Sequence, residues 1–223
     1  MKKLILLCFL ALIAFSYQDG WQSLNGASEQ EVTRKVIVAD STHIIYEYTI
    51  HGFNMFRYTE DFVDYYQISL PGEDGQTDST GYPKLPYLTD ILPVPECSNI
   101  EINVTYSNEN TFDTLLVYPA PYVYFDSIGY AEEFEIDTNF YHGSNEYPLE
   151  DYDTSNGSFR EQNVTSVTVN PIRYNAGDTS LTVFGTVQVS LSFSSPTSDL
   201  CVETGPMSHA MSELLQIKRL FIK

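Results

Sequence analysis

Basic side chains are scarce in this chain: eleven Lys and Arg stand against thirty Asp and Glu in 223 residues. Between positions 36 and 217 the only basic residues are Arg57, Lys84, Arg160 and Arg173. A surface of that composition repels phosphate backbones, so nucleic-acid binding is excluded and anionic membrane surfaces are disfavoured. Cysteine is nearly missing as well, with Cys8, Cys97 and Cys201 alone. Three cysteines make neither a disulfide scaffold nor a zinc knuckle of the Cys-x-x-Cys kind. A bridge between Cys97 and Cys201 would close a loop of about a hundred residues and stabilise by a few kcal/mol, but nothing in the sequence brings the two together. Long apolar runs are limited to Leu4–Phe15, twelve residues, short of the ~20 that a membrane-spanning helix needs.

That one run has a different reading. Lys2 and Lys3 precede it, and Ala14 and Ser16 follow where small residues belong at a cleavage site. Residues 1–16 are therefore expected to be a signal peptide cut before Tyr17, which makes the chain exported, extracellular or periplasmic. Removing Lys2 and Lys3 with the leader leaves nine basic residues against thirty acidic ones, a net charge of −21. Such a charge attracts a basic partner or a divalent cation, and it also simply keeps an extracellular protein soluble. Asn103, Asn156 and Asn163 each begin an Asn-x-Ser/Thr sequon, which matters only in a host that glycosylates.

What the chain does have is strand periodicity and tyrosine. Ile100, Ile102, Val104 and Tyr106 alternate with Glu101, Asn103 and Thr105; Thr165, Val167 and Val169 alternate with Ser166 and Thr168; Val187, Val189, Leu191 and Phe193 alternate with Gln188, Ser190 and Ser192. One apolar and one polar face per segment predicts antiparallel sheet. Further strands are expected at 34–40, 44–50, 62–70, 114–118 and 181–184, with turns at 71–81, 107–110 and 175–179. The seventeen tyrosines fit the same picture, since a Tyr ring packs on a half-buried face while its hydroxyl stays wet. The fold class expected is all-β, an antiparallel β-sandwich or jelly-roll-like domain over 17–196. Residues 197–223 read as a linker and the start of a following domain that is missing here. Ser208–Lys223 is expected to be a short helix, capped by Ser212 and ending in Lys218, Arg219 and Lys223, and too short to be stable alone.

Two segments carry more than periodicity. Gly81-Tyr-Pro-Lys-Leu-Pro86 is a turn in which Gly81 supplies a positive φ while Pro83 and Pro86 keep the chain extended. It runs on to Ile91-Leu-Pro93-Val-Pro. Asn170-Pro171-Ile-Arg-Tyr174-Asn175 ends one alternating strand and turns into a longer one. With Leu85 completing the first motif, this succession resembles the N-terminal propeptide of gingipain-type (family C25) cysteine peptidases over residues 30–195. The resemblance implies a compact β domain that inhibits the peptidase and assists its folding, with a C25-type catalytic domain as partner in cis or in trans. It implies no catalytic residue in this chain, because the family's catalytic residues belong to the domain that follows. The abrupt end at Lys223 suggests a truncated precursor or a split gene, and Lys218-Arg219 is a candidate processing site.

A Cys201–His209 pair, or His142-Gly143, would need a thiolate, an imidazole and oxyanion donors on rigid backbone, and no small-residue loop surrounds either cysteine. Asp151-x-Asp153-x-Ser155 opens like an oxygen-ligand calcium loop, but the places for Gly and Glu hold Asn156 and Gln162. No metal or cofactor is expected, with calcium as the one possibility. From Asp126 to Asp153 there are nine acidic residues and no Lys or Arg, which reads as a long acidic excursion between strands. The resemblance makes such an excursion the candidate inhibitory loop, with Tyr141, His142, Glu146, Glu150, Asp151 and Asp153 as contact residues. A loop facing an Arg- or Lys-specific peptidase would offer a basic side chain, and this one has none; Arg160 and Lys84 lie outside it. The alternative reading is a secreted adhesion or carbohydrate-binding module, whose sugars would stack on Trp21 and the tyrosines.

Overall fold

The computed structural model describes residues 17–40, 42–95, 99–159 and 162–194. The expected signal peptide, Cys97, Arg160, Cys201, His209 and the expected C-terminal helix with Lys218-Arg219 all lie outside them. Among the described residues the strands are β1 (Gly20–Ser23), β2 (Thr33–Ala39), β3 (His43–Thr49), β4 (Gly52–Glu60), β5 (Val63–Ser69), β6 (Gly75–Gln76), β7 (Pro86–Pro93) and β8 (Asn99–Phe112). After them come β9 (Tyr122–Phe125), β10 (Tyr130–Glu133), the single-turn helix α1 (Thr138–Tyr141), β11 (Glu146–Tyr147), β12 (Tyr152–Phe159), β13 (Gln162–Val169), β14 (Ile172–Asn175) and β15 (Ser180–Ser194). The protein is all-β and antiparallel. No described helix is long and apolar enough to cross a membrane.

β15 is the spine of the six-stranded sheet. It pairs with β8 along one edge and with β14 and β3 along the other, while β2 and β11 flank those. The register sets side chains in rows: Ile102 faces Leu191, which faces Ile44, and Val104 faces Val189, which faces Tyr46. The alternation legible in the sequence thus becomes an apolar inner face. Across it lies the four-stranded sheet β12-β13-β7-β6, which contributes Leu88, Leu92, Val167 and Val169 to the same core. A third sheet, β1-β4-β5, adds Phe53, Met55, Tyr66 and Ile68.

The next row of the large sheet, Tyr106, Val187, Tyr48 and Arg34, is partly polar. Arg34 lies over the Tyr48 ring at 5.5 Å and pairs with Asp74. Tyr48 Oη donates to the buried Asp90 of β7 at 2.5 Å, joining the two sheets. At the far end Arg173 stacks on Tyr106 at 4.7 Å and on Phe184 at 5.0 Å, and pairs with Asp151 at 2.9 Å.

Burial pushes the Tyr106 and Tyr174 phenols up to about 12, and Tyr46, Tyr48 and Tyr141 still higher. A phenol whose folded pKa exceeds its unfolded value of about 10 contributes full stability below pH 10 and loses it as pH rises toward 12. Absorbance at 295 nm should therefore show a block of tyrosines ionising only together with the loss of β-sheet circular dichroism. Reversible titration of every phenol in a folded chain would contradict this burial.

Three expectations are corrected. Residues 114–118 do not form a ladder strand: Thr114 adopts φ +62, and only isolated bridges such as Tyr66 to Val117 form, although Leu115 and Val117 are fully buried. The predicted turn at 107–110 lies within β8. There Asn108 takes φ +58, accommodated opposite Gly185, where a Cβ would meet the Asn108 Cβ at 3.2 Å. The acidic excursion is also largely ordered, containing β10, α1 and β11, with Phe140 and Tyr141 buried.

Candidate functional site

The Gly81–Pro86 motif anchors an exposed hairpin. Its backbone pairs with the segment that follows Val117: Lys84 N donates to Tyr118 O at 2.9 Å, Ala120 N to Tyr82 O at 2.7 Å, and Gly81 N to Ala120 O at 2.9 Å. The chain then leaves the body as the β9–β10 hairpin and returns to the same glycine, where Asp137 N donates to Gly81 O at 3.0 Å. Gly81 therefore holds both legs of one arm. It has φ +81, and a Cβ there would lie 2.8 Å from Asp137 N.

Rings secure the legs further. Tyr118 packs edge-on against Tyr58 at 4.9 Å, and Phe134 lies 5.3 Å from Tyr65 and 5.7 Å from Tyr118. After the return leg, Asp137 caps α1 by accepting from Asn139 N and Phe140 N. This seats Phe140 against Tyr82 at 5.1 Å and Tyr147 at 5.9 Å. Tyr141 meets Tyr174 at 6.0 Å. The two sequence motifs, Gly81–Pro86 and Asn170–Asn175, thus meet in one aromatic cluster beneath the arm.

Both faces of the arm carry aromatic rings, with one carboxylate on each nearer its base, Glu133 on the Tyr122 face and Glu132 on the Phe125 face. Tyr122 and Tyr124 stack at 5.9 Å on one face; Phe125 and Tyr130, opposite each other in the register, meet at 5.5 Å. Its tip is an Asx turn in which Asp126 Oδ1 accepts from Ile128 N at 2.7 Å and Gly129 N at 3.0 Å. Gly129 takes φ +147. The tip projects Ile128, 94% exposed, beside Tyr130 at 84% and Phe125 at 75%. A two-stranded ribbon is marginal in water, and one with unpartnered rings on both sides fits a cleft better than a flat surface.

Of the residues expected to form the contact loop, Tyr141 is internal and the others lie at the surface. Tyr141 is buried and donates to Val117 O at 2.7 Å, so its side chain belongs to the core. His142 is the exposed C-cap of α1. Glu146 is exposed but sits in β11, stapled to β14 opposite Asn175. Glu150 and Asp153 are exposed, and Asp151 is engaged by Arg173. The calcium pattern falls on β12, where extended backbone spaces alternate residues about 6.8 Å apart in place of wrapping them round an ion. Among the described residues no His, Cys, Asp and Glu group could hold a metal. The motif residues are structural: Gly81, Pro83, Leu85, Pro86, Pro93, Pro171 and Tyr174 are buried, and Asn175 Oδ1 accepts from Gly177 N at 2.9 Å. Sequence reasoning missed the arm. Its signal was Tyr-Val-Tyr-Phe followed by an Asp-x-x-Gly turn.

A family model for the C25 propeptide (Propeptide_C25) matches residues 36–215. The chain belongs to that family. Two solved structures from Porphyromonas gingivalis share its fold. One, on the zymogenic latency of gingipain K, aligns at 14% identity and TM-score 0.64 over 78% of this chain and 99% of that one. The other, a complex of RgpB pro- and mature domains, aligns at 13% identity and TM-score 0.66 over 85% of this chain and 97% of that one. No curated protein matches. This C25 propeptide is not itself catalytic, in keeping with the family, and the relative's complex joins such a domain to a mature gingipain domain.

Proposed function

We propose that this C25 propeptide is exported, keeps a gingipain-like cysteine endopeptidase inactive and assists its folding, with the catalytic domain supplied in cis or in trans. The observation that carries the mechanism is the arm, a hairpin with exposed rings on both faces, anchored to the core at both legs. Filling the cleft of a peptidase buries both faces at once, which excludes substrate sterically and requires no chemistry from the propeptide. The arm takes over the contact role expected of residues 141–153, because that segment is stapled to the body and Tyr141 is internal. The excess of acidic side chains steers the domain toward a basic surface.

The test uses the full chain against each C25-type catalytic domain encoded in the same genome, with peptide hydrolysis as the readout. The chain should inhibit one of them. A Phe125→Ser, Ile128→Ser, Tyr130→Ser variant should keep its melting temperature, since these side chains lie outside the core. Its inhibition should weaken by about 30-fold or more, equivalent to about 2 kcal/mol of lost anchor contacts. Inhibition of none of the domains would sink the reading. Glycan binding in its place would promote the carbohydrate-binding alternative, for which the stacked Tyr122–Tyr124 pair is the favourable observation.

A further inference from the structure

A second exposed aromatic sits where the backbone itself is strained. β4 and β5 are joined by two residues, closed by the Glu60–Val63 pair, and both occupy the left-handed region: Asp61 at φ +47 and Phe62 at φ +65. Such a turn favours Asn-Gly, because a Cβ is disfavoured there and a bulky side chain most of all. Phe62 is moreover fully exposed at 103% and packs on no core cluster. One residue thus carries two unfavourable features, with no place in the hydrophobic core of the described residues. Phe56 and Tyr58 on the same hairpin are also exposed.

The surroundings specify the partner's chemistry. Glu60, Asp61 and Asp64 crowd the turn, with Arg57, 3.6 Å from Asp64, as the counter-charge. Three carboxylates against one guanidinium disfavour an anionic lipid surface and favour an apolar pocket rimmed by Lys or Arg. The turn is also tied mechanically to the arm. Tyr58 and Tyr65, on its two strands, are the rings against which Tyr118 and Phe134 of the arm's legs pack.

We propose that Phe62 is a second docking anchor, inserted into a basic-rimmed apolar pocket on the same catalytic domain that the arm occupies. This rests on the function proposed above, and makes the contact bipartite: the arm blocks the cleft, and Phe62 fixes the domain beside it. Strain held at a surface turn is the signature of a residue kept for contact at the expense of free-state stability.

The discriminating experiment measures stability and affinity together. In the full chain, Asp61→Asn with Phe62→Gly restores the preferred turn and should raise the melting temperature by about 2–4 °C. The same variant should bind the inhibited catalytic domain at least tenfold more weakly by surface plasmon resonance, whereas Phe62→Trp retains binding. Unchanged affinity of the turn variant, alongside loss in the arm variant, overturns the second anchor and leaves the proposed function intact. If the unmodified chain binds no C25-type domain, both fall. Binding of the chain to phosphatidylcholine–phosphatidylglycerol vesicles, abolished by the turn variant, would overturn the protein pocket in favour of a membrane.

Discussion

Gly81→Ala should destabilise the domain by about 3 kcal/mol, lowering its melting temperature by about 6–12 °C, and should cost more inhibition than that loss explains. Two terms add at this position. A Cβ at φ +81 costs about 1–2 kcal/mol in the left-handed region. The methyl also meets Asp137 N at 2.8 Å, a backbone atom whose position is fixed by its bond to Gly81 O. Relief requires Asp137 to move, which withdraws the cap from α1 and loosens the return leg. Amide exchange should therefore quicken in 118–137 well before global unfolding. Gly81→Asn separates the two terms, because Asn tolerates the dihedral but not the approach. Full rescue by Asn would show that conformation alone matters there and that the arm is not held at this point.

Asp90→Ala should be comparably damaging, at about 3 kcal/mol. The carboxylate is buried and accepts from Tyr48 Oη across the gap between the two sheets. Truncating it leaves a buried hydroxyl without that acceptor, and removing one member of a buried polar set costs far more than the set contributes net. Arg34 softens the loss, since it is partly solvated and keeps Asp74. The contrasting variant, Asp90→Leu with Tyr48→Phe, removes both members and fills the space with apolar atoms. It should be less destabilised in urea titration than the Asp90→Ala variant. Equal destabilisation by the single and double changes would show that the bond contributes nothing specific.

How much of this was legible depends on where each residue's environment is set. Ile100 to Tyr106 and Val187 to Phe193 declared themselves because one face is buried and the other wet, so alternation in sequence is alternation in space. β4 gave no such sign: Phe53 and Met55 are buried, whereas Phe56 and Tyr58 are exposed, so the pattern never settles into a period. The arm failed for a related reason, as its first strand, Tyr122 to Phe125, is apolar at every position and such a run reads as interior. Gly81 was legible as a turn residue, but its hold on Ala120 and Asp137 is tertiary and leaves no local trace. The acidity of 126–153 was legible; the fixed seat that Asp137 and the rings of Phe140 and Tyr141 give that stretch was not.

The spine strand has a kinetic consequence. β15 is the last described strand, yet β3 near the start and β8 in the middle are both completed by pairing with it. The hairpins β4–β5, β9–β10 and β12–β13 can close locally, whereas the central sheet has to wait for its final member. Such long-range closure slows folding, and during synthesis it postpones the cooperative step until nearly the whole domain has emerged. The central sheet of this propeptide thus closes only when its last described strand arrives.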